Sequence, residues 1–231
     1  MATAVGFDGF PKEAQRFLAS LGKNNRKAWF DAHREDYERY LLEPAIAFVS
    51  ELGPRLRKID PAIRAEPRIN GSIGRINRDT RFAKDKSPYK DHLNLWFWQG
   101  PGKRGDAVGY YWALHPSTLV LGVGFHMFEP KLLSRYRDAV ADPKRGGALV
   151  RAVADARKNG YDVGGAAYKR MPSGYDVDGA RAPLLLHNGL WVGTELRSPP
   201  EVQSPKLVEL TYQHFRRMEP VRGWLLELTR P

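Results

Sequence analysis

Residues 75 to 90, RINRDTRFAKDKSPYK, carry six basic side chains and two carboxylates. Arg75, Arg78, Arg81, Lys84, Lys86 and Lys90 stand against Asp79 and Asp85, a local excess of four positive charges. Arginine offers a flat fork of donors that fits phosphate or carboxylate bidentately, and lysine offers a point charge. Cations this dense repel one another, so Asp79 and Asp85 are expected to hold arginines in place, with Asp91 doing the same for Lys90. Pairing six cations with all three acids still leaves three positive charges. That residue of charge is the case for a phosphorylated or otherwise anionic guest. In a catalytic version of the site, Asp79 or Asp85 is the acid/base and His92 the alternative proton carrier. The arginines would then stabilise developing negative charge. The competing reading is structural: an Arg–Asp lattice pinning a long loop, worth about 0–1 kcal/mol per exposed pair.

Other chemistry is thinly supported. The chain has no cysteine, which excludes disulfides, thiolate metal sites and cysteine nucleophiles. It contains no GxGxxG fingerprint, no GxxxxGK[ST] loop and no GxSxG elbow. Histidines 33, 92, 115, 126, 187 and 214 form no HxH or HxxxH pair, so a metal site would have to be assembled by the fold. A His115–His126–Glu129 group at the ends of one hairpin is conceivable, but two histidines on a sheet rim is the favoured reading. No metal is assigned, and the sequence names no cofactor.

The elements that position these groups follow from periodicity. Residues 11 to 58 read as three helices. Phe10, Phe17, Leu18 and Leu21 give the first an apolar side, and Gly22 is expected to stop it. Asn24 or Asn25 can cap the next, where Trp29, Phe30 and Tyr37 read as core. Pro44 opens the third, with a break expected at Gly53-Pro54. From 72 to 126 the period becomes two. Ser87-Pro88 argues against helix there, so a strand end, a basic loop and a strand from about Tyr89 are expected. In YKDHLNLWFW, Leu93, Leu95 and Phe97 face one way, and Lys90, His92, Asn94, Trp96 and Trp98 the other. Asn94 and Trp96 therefore join the candidate ligand-binding residues, beside the loop. GYYWALH and TLVLGVGF form a hairpin turning at His115-Pro116-Ser117. Gly122 and Gly124 leave one face of it bare, a groove for a ligand or another backbone, though more often filled by a helix. Asp142-Pro143 opens a helix to about Lys158. Residues 160 to 200 read as short strands and turns, and Ser204-Pro205 starts a final helix. The fold class is α+β: an antiparallel sheet over about 72–126, short strands from 160–200, and helices packed around it, in one domain spanning 1–231.

The bulk numbers agree. A chain of 231 residues with 42% hydrophobic residues and six Trp can bury a large core. Its charge is +11, distributed as +1 over residues 1–60, +4 over 61–130 and +6 over 131–231. Such a field attracts polyanions. An arginine-rich solubility charge explains it equally well. MATAVGFDGFPKEAQ lacks the basic head and apolar run of a leader, and no stretch approaches the roughly 20 apolar residues of a span. A cytoplasmic protein without membrane contact is expected.

Three segments carry a family resemblance: NNRKAWFDAHREDYERYLLEP at 24–44, RINRDTRFAKDKSPYKDH at 75–92, and YKRMPSGYDVD at 168–178. Together they resemble the domain of unknown function 2461 family, in order and over nearly the whole chain. The resemblance implies a widespread bacterial family, also found in fungi and plants, and no activity. It marks Asn24, Asn25, Trp29, Phe30, Arg75, Arg78, Asp79, Arg81, Phe82, Lys84, Asp85, Lys86, Pro88, Tyr89 and Lys90. Pro172-Ser173-Gly174 in the third segment reads as a turn preceded by a second basic pair, Lys169 and Arg170.

The leading expectation is an anionic small-molecule site at 75–90. The alternatives are a nucleic-acid binder, with Tyr89, Trp96, Trp98, Tyr110 and Trp112 stacking on bases, and a structural or partner-binding protein. Oligomeric state is not legible.

Overall fold

The computed structural model describes residues 6–100 and 107–230. Residues 1–5, part of the segment that reads as lacking a leader, and residues 101–106 of the expected sheet region lie outside the described residues.

The N-terminal helices are α1 (Lys12–Lys23), α2 (Lys27–Ala32), α3 (Arg34–Tyr37) and α4 (Glu43–Leu56), with a wide π turn over Glu38–Leu42. The strands are β1 (Ile63–Arg64), β2 (Leu93–Gln99), β3 (Gly109–Leu114), β4 (Leu119–Phe125), β5 (Asp162–Ala166) and β6 (His187–Leu196). Helices α5 (Pro130–Ala141), α6 (Pro143–Lys158) and α7 (Lys206–Thr229) complete the chain, with a 3-10 segment over Gly179–Leu186. The strands form one antiparallel sheet in the order β1-β2-β3-β4-β6-β5. The α+β class is therefore as expected.

The backbone gathers into two compact units. The first holds Met1–Arg104, Tyr111–Leu121 and Glu195–Gln213. Its core joins α1 and α4 to the sheet through Phe10, Phe48 and Trp112, where the Phe10 and Trp112 rings stack at 5.5 Å. Along β2, Leu93, Leu95 and Phe97 are buried, as strand alternation requires. The second unit holds Gly105–Tyr110, Gly122–Thr194 and His214–Pro231. There Tyr136 donates its hydroxyl to Leu184 O (2.9 Å), and the buried Arg222 pairs with Glu219 (2.7 and 2.9 Å) beneath the Tyr110 ring.

Local signals fared unevenly. Asp142 caps α6 by accepting from Arg145 N (2.7 Å), and Pro143 occupies the first turn. Gly22 does not stop α1, which runs on to Lys23. Nor does Gly53-Pro54 break α4, because Pro54 falls in its last turn, where little helix remains to lose. The 160–200 region holds a ten-residue strand, β6, longer than the short strands expected. Gly122 and Gly124 face neither a helix nor a ligand groove. A side chain at Gly124 would sit 2.1 Å from Leu190 O, so the β6 backbone fills the space. Gly124 also has φ +127°, a conformation reserved for glycine.

Candidate functional site

All candidate residues between 75 and 96 lie in the first unit, on one irregular hairpin. Isolated bridges pair Ile73 with Leu95 and Asn77 with Tyr89. Backbone bonds between them continue the ladder: Gly74 N to Asn94 O (2.8 Å), Lys90 N to Ile76 O (2.8 Å) and Arg78 N to Pro88 O (2.8 Å). The paired arms are thus 72–78 and 88–96, and the tip is 79–87. The expected long loop is shorter than it looked, and its flanks are strand-like.

The N-terminal helical region holds this hairpin by the arm next to its tip. Asn25 donates Nδ2 to Tyr89 O (2.9 Å) and accepts Tyr89 N–H at Oδ1 (2.9 Å), satisfying both backbone groups of a buried residue. Phe30 stacks on the Tyr89 ring at 4.4 Å. Neither asparagine caps α2, which begins without a side-chain cap. Asn24 instead donates to Ser20 O at the end of α1 (3.0 Å). Sequence reasoning missed the role of Asn25 because the partner lies 64 residues away.

At the tip both acids hold arginines, as expected. Asp79 receives Arg81 through Nε (3.0 Å) and Nη2 (2.7 Å), and Asp85 receives Arg78. Those Arg81 bonds hold the Asp79 carboxyl at about 2, well below its ordinary 3.8. Asp85 is also lowered, first by the Ser87 hydroxyl and amide (2.6 and 2.9 Å) and then by Arg78. Both carboxylates are ionised anchors at neutral pH. Lys86 bonds to Thr80 O, a neutral acceptor that leaves its ammonium charge in place, and Lys90 bonds to Arg75 O (each 2.9 Å). Arg75 and Lys84 are exposed and make no ion pair among the described residues. Phe82, which the sequence gave no reason to single out beyond the family pattern, is 94% exposed, with Arg81 over its ring at 5.8 Å.

The polar face of the second arm is fuller than expected. Trp96 packs against Tyr111 at 4.7 Å. Asn94 leans over Gly74, where an added Cβ would come within 1.8 Å of Oδ1. That Oδ1 is buried and has no hydrogen-bond partner among the described residues. Asp91 meets His92 Nδ1 (3.1 Å), a partner the sequence reading did not name for it. The imidazole of His92 stacks on that of His115 at 4.6 Å. Burial pushes the His92 pKa down, against the raising effect of Asp91. His115 therefore meets His92 and Asp91, while His126 is exposed in the second unit.

The stacking residues suggested for nucleic acid need correction. Tyr89, Trp98, Tyr110 and Trp112 are buried, and only Phe82 presents an open ring at the tip. Pro172-Ser173-Gly174 does form a turn, with Gly174 at φ +83°, and Lys169 and Arg170 are exposed beside it in the second unit. A shallow pocket of about 440 Å³ in that unit, lined by Arg151, Asp155, Trp224 and Glu227, contains none of the candidate residues.

The hairpin tip and its pinned arm are built from the very residues of the family pattern, and a family model confirms the likeness. The model described as "Conserved hypothetical protein (DUF2461)" matches residues 13–224. The chain belongs to this family. No curated protein and no solved structure matches it. The family match spans both units and includes Asn25, Phe30 and the whole basic hairpin. Among the described residues no helix is long and apolar enough to cross a membrane.

Proposed function

We propose that the hairpin 72–96 binds a phosphorylated or otherwise anionic ligand on its open tip. The observation that carries this reading is the internal pairing of both tip carboxylates. Asp79 and Asp85 are engaged with Arg81 and Arg78, so the remaining charge on 75–90 has no acid of that stretch left to cancel it. The lattice and the anion site are thus one arrangement, in which ionised aspartates fix two guanidinium forks and Arg75, Lys84 and Lys86 supply the surplus. Asn94 and Trp96, paired with Gly74 and Ser72 at the far end of the arms, stand apart from that tip. Phosphate fits it better than a single carboxylate, because several cations converge on a short segment.

A second reading is favoured by one feature. An exposed aromatic among cations suits single-stranded nucleic acid, with Phe82 stacking on a base and the cations following phosphates.

Isothermal titration of pyrophosphate, a nucleotide and a short oligonucleotide into wild type and Arg75→Ala/Lys84→Ala tests both. The proposal expects saturable binding that weakens at least tenfold in the double variant. Equal binding in both proteins, or none in either, contradicts it. Phe82→Ala separates the readings. Loss of about 1–3 kcal/mol for the oligonucleotide alone indicates stacking, and an unchanged profile leaves the small-anion reading.

A further inference from the structure

The geometry points to a divalent transition-metal site formed by Asp91, His92 and His115, next to the basic hairpin and distinct from its tip. One ligating atom from each of the three lies within 4.8 Å of the other two. The sequence shows no such site, because Asp91 and His92 lie just before β2 while His115 lies just after β3. The neighbouring strands β2 and β3 bring them together.

Two features support a metal over a bare hydrogen-bonded cluster. The first is spacing. Two ligands about 2.0–2.1 Å from a tetrahedral zinc lie about 3.3 Å apart. Asp91 Oδ1 and His92 Nδ1 are 3.1 Å apart, so an ion can take the place of the single proton between them with little movement. The second is the third donor. The His115 ring is stacked on His92 at 4.6 Å with a 23° tilt, which puts a second imidazole edge beside the first. Gln15 of α1 fixes the turn that carries it, donating to His115 O (3.0 Å).

The donor set selects the metal. Two imidazoles and one carboxylate without thiolate suit zinc, iron, nickel or copper over magnesium or calcium, which prefer all-oxygen shells. Three protein ligands leave a coordination position for water or an incoming anion, the arrangement of catalytic rather than closed structural sites. His92 and Asp91 are half-exposed enough to admit one, with side chains 22% and 50% exposed.

The test uses the full chain, freed of any affinity tag and treated with chelator. Cobalt(II) alone is titrated in and followed by its visible absorption, and zinc(II) alone by calorimetry. One equivalent is expected to bind, at least tenfold more weakly in His115→Ala and in Asp91→Asn, with His126→Ala unchanged. Histidine side-chain NMR of wild type guards against a variant that fails to fold. Zinc should shift the His92 and His115 resonances and leave those of His33 and His126 in place. Absence of saturable binding, undiminished binding in folded His115→Ala, or shifts confined to other histidines overturns the site.

Discussion

Replacing Asn25 by alanine removes two hydrogen bonds at once, both 2.9 Å and both to the backbone of Tyr89. Tyr89 is 5% exposed, so its amide and carbonyl have little access to water as a substitute. A hydrogen bond contributes about 0.5–1.5 kcal/mol net, and a buried group left unsatisfied costs about 1–3 kcal/mol. Two such groups, partly relieved by solvent entering the cut-back site, give a loss of about 3 kcal/mol. For a chain of this size that is a drop of about 6–12 °C in Tm. Asn24→Ala is the matched control. Asn24 makes one bond, to a Ser20 carbonyl that also accepts its own backbone N–H, so removing it should cost about 1 kcal/mol or less. Urea denaturation of both variants gives the comparison, and hydrogen exchange at the Tyr89 amide localises it. If Asn25→Ala costs no more than Asn24→Ala, or Tyr89 keeps its protection, the helical region does not hold the hairpin arm in the way described.

Further outcomes follow from the same geometry. The Asp79 carboxyl should titrate near 2 by NMR and return toward 3.8 in Arg81→Ala. Because its folded value lies below its unfolded one, the pairing should order the tip above about pH 4 and be lost as pH falls through about 2; a titration unchanged in Arg81→Ala contradicts this. Gly124→Ala should destabilise by about 3 kcal/mol or more, since the new Cβ meets Leu190 O at 2.1 Å and the backbone has φ +127°. An unchanged urea midpoint would refute that.

What the sequence disclosed followed the range of the interactions. Alternation along Leu93, Leu95 and Phe97 is a two-residue period, and it placed β2 and its buried face correctly. The Asp142 cap acts over three residues, and the Arg81–Asp79 and Arg78–Asp85 pairs over two and seven. The cap was readable, and so was the role of both acids as arginine anchors, though not which arginine each one holds. Asn25 misled because asparagine before a helix is usually a cap, and its partner Tyr89 is brought near only by tertiary folding. The meeting of His92 with His115 needed the order of strands in the sheet, which periodicity does not supply. Aromatic residues on β2 and β3 looked available for stacking because alternation assigns a face without saying what covers it. Trp98 and Trp112 are covered, and Phe82 on the tip is not. Gly124 was rightly seen as making room, but only the register of β6 showed that another strand occupies it.

The central claim is that a negatively charged guest settles on the hairpin tip, and mapping a bound anion by NMR tests it most directly. Pyrophosphate titrated into isotope-labelled protein should shift the Arg75, Arg78, Arg81 and Lys84 side chains together, with one dissociation constant and stronger binding at low salt. Shifts scattered over the basic surface without saturation, or centred on Lys169 and Arg170 with the hairpin unmoved, would contradict it.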